Sequence, residues 1–405
     1  MTDTTLPLPD SGDEVRWVGE HLGGLCIDEP RRSDRFVGTQ AAADAALGSL
    51  DITGYARRRN EVLPRSRRGA SGLSPWIRHG HLPLPLVWAA VDGPPADRRK
   101  FRDELRWQEY GRHLYGRLGR STGEPLRRAP ASVPAADVDV DPWDRSMRCV
   151  EVNLDELERD GWMVNQTRMW LASQWSVRHG ADWREGERHF FTHLIDGSRA
   201  ANRLGWQWTI GSGTAKAYGF SQSQVRRRAP GLCETCQLQH SCPIRDWPED
   251  PPLVAVEADQ RLRSDPDVER TAGPEQAEVR STPEAVWLTA ESLGDDDPAL
   301  TAHPRLPAVF VFDLPLLREL RLSSKRLVFL ADRLAELGAQ RQLEVHLGDP
   351  VRVLDGRALA TTFAPVPGWR RRARSLDLAT VHPWPWLERP GSGSVASFSA
   401  WSKRR

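Results

Sequence analysis

The chain has 405 residues, 39% hydrophobic and 27% charged, enough for two or three domains with cores of their own. Its 56 basic and 55 acidic side chains leave a net charge of +1, so whole-molecule attraction to nucleic acid is not implied and such binding needs a local patch. No run approaches the roughly 20 apolar residues of a membrane-spanning helix, and the opening MTDTTLPLPDSGDE lacks a charged-then-apolar signal. The expected home is the cytoplasm, with no membrane partner and a monomeric state.

Residues 1–35 carry little signal beyond Cys26, which sits in a short apolar run and reads as an inert buried thiol. From Phe36 the stretch FVGTQAAADAALGSLDITGYARRRN predicts an amphipathic helix followed by a turn. Arg57, Arg58, Arg59, Arg65, Arg67 and Arg68 follow, with Arg226, Arg227 and Arg228 far downstream. Arginine suits bidentate phosphate contact, although a solvated face is the equally open alternative. Arg68–Trp76 then reads RGASGLSPW. Small hydroxyl residues and free N–H groups before a helix can hold a diphosphate, or Ser74 and Pro75 can simply start that helix.

Phe101–Tyr110 predicts a helix on which Glu104 and Trp107, three apart, share one face. Residues 119–142 are Pro/Ala/Asp-rich and predict a loop without periodicity. The richest stretch is Asp182–Trp208, DWREGERHFFTHLIDGSRAANRLGWQW. Acids crowd its start, where they complement a helix dipole, and Phe190, Phe191 and Leu194 form an apolar stripe. Asp196, Ser198, Asn202, Trp206 and Trp208 then set polar groups beside indoles, a mixture suited to a large, flat, polar-edged ligand such as a flavin.

Two long motifs in order, GWMVNQTRM at 161–169 and DWREGER…DG…AAN…GWQW, resemble the flavin-binding helical domain of the DNA photolyase/cryptochrome family. The resemblance implies FAD as cofactor and damaged DNA, single-stranded or duplex, as partner. By the same resemblance Tyr55 contacts the flavin phosphate, and Ser71, Leu73 and Ser74 fall in a segment similar to the family's GTSxLSP. Phe101 stands for a pocket tryptophan and Gln108 for an arginine. Trp162, Arg168, Asp196, Ser198 and Asn202 complete the implied cofactor set, Arg168 and Asp196 as an ion pair and Ser198 in place of a second aspartate. Glu104 and Trp107 are the implied dimer contacts, since an extruded base needs a π-face. Asn165 is assigned to the flavin's redox nitrogen, Met169 and Trp208 to the dimer pocket, and Gln166 to a lost DNA-side arginine. Trp206 and Trp183 are the implied inner members of a photoreduction chain, with Trp143 the candidate third.

Cys233-x2-Cys236-x5-Cys242-Pro243 is a metal or cluster pattern, and Cys149 is the fourth thiol within the same predicted domain. The arrangement is similar to the photolyase branch that carries a [4Fe–4S] cluster; a zinc site with His240, or free thiols, are the alternatives. Residues 245–283 are Pro- and acid-rich and predict a linker. Beyond it, Ala285–Leu288, Ala308–Asp313 and Leu343–Leu347 predict buried strands around a helix at Ser323–Leu337, hence a parallel α/β sheet. This tail resembles the family's antenna domain, which normally comes first, so the chain reads as circularly permuted. Its degraded VWLTAESLGDDDPAL leaves antenna-chromophore binding open.

The expected architecture is therefore a segment 1–35, a helical FAD domain at 36–244 with the cysteine site, a linker at 245–283, and a smaller Rossmann-like domain at 284–405. The expected function is light-driven dimer repair. A cryptochrome-like photoreceptor, or a metal-stabilised nucleic-acid module without flavin, are the alternatives.

Overall fold

The computed structural model describes residues 3–130 and 141–403; of the Pro/Ala/Asp-rich stretch 119–142 expected to be a loop, residues 131–140 lie outside the described residues, while Gly119–Gly123 is a 3-10 turn and Arg128–Pro130 a short strand. Both expected textures are present. Helices dominate from Gln40 to Arg228, and a mixed sheet follows. The longest helix, Pro95–Leu118, starts on an N1 proline and buries two faces, Phe101 and Leu105 in the main helical core and Tyr110, Leu114 and Leu118 in a second cluster with Val395 and Trp401.

The sheet has seven strands, in the order Thr4–Leu6, Leu343–Gly348, Ala308–Asp313, Ala285–Leu288, Leu359–Thr362, Leu378–His382, Glu278–Val279. The inner five are parallel and the two edges antiparallel. Among the inner five, chain order is 3-2-1-4-5, the doubly wound pattern whose switch point lies between Ala285–Leu288 and Leu359–Thr362. Strands buried on both faces need continuous apolar runs, which AVWL and AVFVFD supply.

Two expectations change. The segment 1–35 is part of the sheet region: Thr4–Leu6 pairs with Leu343–Gly348, and the Glu14–Leu22 helix packs on the Ser324–Gln340 helix. Cys26 stays in that core, its thiol pushed up to about 11 by burial. Residues 245–283 are not a free spacer. Leu253–Ala255 pairs with Arg128–Pro130, and Glu278–Val279 closes the sheet. Hydropathy misses both because two- and three-residue edge strands carry no period.

The Ser324–Gln340 helix joins the halves. Leu327, Val328, Leu330, Ala331, Leu334 and Leu337 bury its apolar stripe, at about 1.5–3 kcal/mol for each large side chain. Its charged face is buried too. Asp332 accepts from Gly38 N at 2.8 Å and Arg32 at 2.7 Å, and Lys325 reaches Asp28 at 2.8 Å. Arg333, with no solvent exposure, donates to Leu293 O and pairs with Asp295 and Glu336. Gly38 is required here: a Cβ would lie 1.8 Å from Phe329 O.

The segment after the last parallel strand returns to the Pro95–Leu118 helix. Buried Glu109 accepts from Leu387 N at 2.6 Å and Glu388 N at 3.0 Å, and Trp401 Nε1 donates to His113 Nδ1 at 2.9 Å. Burial pushes the Glu109 carboxyl up to about 7, with Arg112 and the two N–H donors pulling it back. An acid whose folded pKa is raised contributes stability that is fully present below its unfolded pKa, about 4.3, and is lost as pH rises through 7. Glu109→Gln, which keeps the acceptor, should therefore abolish a stability loss on the order of 3 kcal/mol between about pH 4 and 8. Denaturant melts of both proteins across that range check this; parallel pH profiles would refute it.

Candidate functional site

The helical core holds Tyr55, Leu73, Phe101, Trp162, Trp183 and Trp206 in one apolar cluster. At its centre is the turn Ile195–Ser198. Asp196 Oδ2 accepts from Arg168 Nη2 at 2.8 Å, the pair anticipated from sequence, and Arg168 Nε also donates to Met163 O at 3.1 Å. The turn is clamped: Gly197 O accepts from Arg78 at 3.0 Å and Arg326 at 2.9 Å, and His79 Nε2 lies 3.1 Å from Ile195 O. Trp206 Nε1 in the cluster and Asp196 Oδ1 at the turn are among the buried side-chain atoms without a hydrogen-bond partner, as are His189 Nε2 and His193 Nδ1. The first two are a donor and an acceptor, which suits a ligand whose edge presents both.

Trp206 packs against the Trp183–His193 helix at Gly186, where a Cβ would stand 2.2 Å from its ring. The ring file leading from it runs to Phe190 at 5.2 Å, then Trp143 stacked on Phe190 at 5.5 Å, then Trp175 at 4.6 Å. Trp183 stands at the start of the same helix under the Arg184 guanidinium, 5.4 Å from its ring. Asn202 is buried and donates to Glu187 O at 2.8 Å and Oε1 at 2.9 Å; Arg199 pairs with the same carboxylate. Asn165, by contrast, is exposed, with Nδ2 4.0 Å from Met169 Sδ. Ser198 opens the Arg199–Thr209 helix without a side-chain cap.

Near the RGASGLSPW segment, Ser74 Oγ accepts from Trp162 Nε1 at 2.9 Å, and Ser71 Oγ from Leu73 N at 3.4 Å. Tyr55 meets Phe101 edge-on at 4.9 Å. Glu104, on the same helix as Phe101, is engaged by two cations, Lys100 at 2.8 Å and Arg59 at 3.2 Å. Gln108 is half-buried on that helix.

Trp107 has a partner that sequence reasoning does not supply. Phe398 stacks on it at 4.0 Å and 8°, so one indole face is covered. Gln166 also behaves differently from a lost DNA-side charge. It is buried and donates to Tyr218 Oη at 2.8 Å, Tyr218 Oη donates to Gln224 Oε1 at 3.2 Å, and Tyr218 packs on Trp208 at 5.3 Å. No sequence pattern singles out Glu187, Tyr218 or Phe398 for these roles. For Gly186 a signal exists, since a glycine inside a strongly amphipathic helix implies close approach by a neighbour.

Cys149, Cys233, Cys236 and Cys242 all line one small enclosed cavity with Met147, Val225, Leu232, Leu238 and Ile244. All are free, and burial, then Cys233, Cys242 and Cys236, pushes the Cys149 thiol up to about 12. His240 lines the adjoining polar groove of about 460 Å³, with Arg178, Arg245 and Trp247, which shares Cys242 and Pro243 with the cavity. Among the described residues no three His, Cys, Asp or Glu side chains stand close enough to hold a metal ion as placed.

Replacing Gly186 by alanine should displace Trp206 and cost about 1–3 kcal/mol by overpacking, read as a lowered denaturation midpoint and altered tryptophan fluorescence. Unchanged fluorescence would contradict the contact.

Residues 101–229 match the FAD binding domain of DNA photolyase. The deoxyribodipyrimidine photo-lyase of Synechococcus sp. is 30% identical over 237 residues, 52% of this chain and 47% of that protein. One from Thermus thermophilus is 28% identical over 228 residues, 54% of this chain and 52% of its own length. The chain thus spans about half the length of the curated relatives it matches. Among solved structures, a bacterial class III photolyase from Agrobacterium tumefaciens aligns with a TM-score of 0.36 at 26% identity, covering 50% of this chain and 41% of that one. An archaeal photolyase from Sulfolobus tokodaii aligns at 0.43 and 19%, covering 54% of each. No helix among the described residues is long and apolar enough to cross a membrane. The helical stretch 101–229 is thus similar to the FAD binding domain of DNA photolyase, and about half of the chain is similar to photo-lyase relatives.

Proposed function

We propose that this protein is an FAD-dependent, blue-light-driven, photolyase-like enzyme that splits pyrimidine dimers in DNA. The observation that carries the reading is the Arg168–Asp196 pair with Asp196 Oδ1 and Trp206 Nε1 left unpartnered inside the matched region. Bound FAD would supply a photoexcitable one-electron donor. Asp196 would accept an N–H from the ring edge, and Arg168 would balance negative charge there. Asn202, a buried amide shortly beyond the Asp196 turn, is a better candidate for the ring than exposed Asn165. Tyr55, Ser71 and Ser74 would hold the phosphates, with Leu73, Phe101 and Trp162 as walls. Trp208, Met169, Trp107 and Glu104 would receive the extruded dimer, Glu104 holding a proton or hydrogen bond at the base edge.

We further propose that the four cysteines hold a [4Fe–4S] cluster, on the ground that four free thiols face one cavity. Binding would remove their protons, reversing the raised Cys149 value. Helices first and parallel strands second fit a permuted order relative to the family. The cavity beside the switch point, lined by Ile77, Gly80, Pro83, Leu84 and Thr362, measures only about 20 Å³, which argues against a chromophore there.

Two observations favour a photoreceptor without repair: Trp107 already stacks on Phe398, and Glu104 already holds two cations. The deciding assay is light-dependent repair of dimer-containing single-stranded and duplex DNA by anaerobically purified protein. Glu104→Ala and Trp107→Ala should keep flavin absorption and lose repair, and the missing stacking aromatic should weaken DNA binding by about 1–3 kcal/mol. Reduced wild-type protein that repairs neither substrate would leave the photoreceptor reading in its place.

A further inference from the structure

The last parallel strand, Leu378–His382, ends on a histidine whose ring meets another from a distant part of the chain. His303 follows the helix Pro298–Ala302, which packs on the Leu359–Thr362 and Leu378–His382 strands. The two Nε2 atoms stand 3.0 Å apart, with ring centroids 5.1 Å apart and planes crossed at 75°. The imidazoles therefore meet by their nitrogen edges and do not stack. His382 is buried and His303 partly exposed, so the pair lies just under the surface. Both are fixed through their backbone. Arg341 donates to His303 O at 2.9 Å and Leu306 O at 2.6 Å, and Phe363 N donates to His382 O at 2.9 Å.

Two ring nitrogens this close have two uses. One ring can donate its Nε2–H to the other, or both can turn unprotonated nitrogens on a shared cation. Nitrogens bound to one ion at about 2.0–2.1 Å stand about 2.9–3.4 Å apart for bond angles between a right angle and a tetrahedral one. The pair is thus already spaced as a chelate. Both rings are held below the ordinary imidazole value, His303 by burial and then Arg341, His382 by burial and then His303. The neutral ring is the form that binds metal. Arg341, the cation beside His303, is itself drawn on by the Asp297 carboxylate, which accepts from Thr362 Oγ1 at 2.9 Å on the strand next to His382. Among the described residues no third His, Cys, Asp or Glu joins the pair as placed, which leaves the other positions on an ion to water.

We propose that His303 and His382 form a binding site for a divalent late first-row transition ion, held through both Nε2 atoms with water in its open positions. Imidazole ligands suit zinc, copper and nickel, whereas magnesium and calcium take oxygen ligands. The site is separate from the thiol cavity, which neither histidine lines, and it stands whether or not the flavin and cluster readings do.

The test is calorimetric titration of Zn²⁺ into the anaerobically purified full chain, beside His303→Gln, His382→Gln and a Cys233→Ser, Cys236→Ser double variant. Wild type and the cysteine variant should share one equivalent that each histidine variant loses or binds at least about tenfold more weakly. Cobalt(II) gives a second readout, since an ion held by imidazole and water shows visible absorption without the thiolate charge-transfer band of a cysteine site. Because His303 is partly exposed, His303→Gln should keep the wild-type circular dichroism, and it decides the matter if the buried His382 tolerates no change. In the cysteine-variant background Zn²⁺ should raise the melting midpoint, and adding His303→Gln should remove that rise. Equal zinc binding by wild type and His303→Gln would overturn the proposal. So would a cysteine variant that binds no zinc, leaving the pair as an imidazole–imidazole hydrogen bond only.

Discussion

The turn Ile195–Ser198 is the point on which the arrangement depends. Its carbonyls are gripped from both halves of the molecule, by Arg78 and His79 on the helical side and by Arg326 from the helix that packs on the sheet. Ile195 N in turn donates to Gly161 O, at a glycine with φ of +66° whose Cβ would strike Ile195. Arg326 is buried, and desolvation followed by Arg78 brings its guanidinium down to about 9 against the pull of Glu291 and Asp196. Its charge adds to the direct Arg168 ion pair on the Asp196 carboxylate, in an interior where an isolated charge would cost several kcal/mol. The sheet is thus more than an appendage, since it completes the environment of the residue most central to the flavin reading.

The same logic of buried charge explains why the chain folds as interlocked parts. Asp332, Arg333 and Lys325 find partners in residues 14–40 and 293–295, far away in sequence. Removing either side would strand ions in a low-dielectric interior. The edge strands Thr4–Leu6 and Glu278–Val279, and the return of residues 384–402 onto the Pro95–Leu118 helix, reinforce that closure. Segments that look like tails and spacers are therefore structural.

Around the candidate site, internal contacts compete with the roles that resemblance suggests. Phe398 occupies one face of Trp107, and Gln166 turns inward to tie Tyr218 and Gln224 instead of facing a phosphate. Gln224 also accepts from Trp170 Nε1, and its neighbours Gln222 and Val225 line the cysteine cavity. One short helix, Gln222–Arg228, therefore touches both the thiol site and the aromatic network behind Trp208.

By itself, the sequence determined what repeats locally or matches long ordered motifs. The strands AVWL and AVFVFD were legible because double-sided burial demands unbroken apolar runs, and the Ser324–Gln340 helix because its apolar positions recur at helical spacing. The Arg168–Asp196 pair was legible only through the resemblance of two long motifs, and the gathering of four cysteines through their spacing together with that resemblance. Only the tertiary structure decided what long-range contact decides: the edge strands, the covering of Trp107 by Phe398, the inward turn of Gln166, and the meeting of two arginine runs. None of these leaves a local period, since each is set by the fit of surfaces brought together from distant parts of the chain.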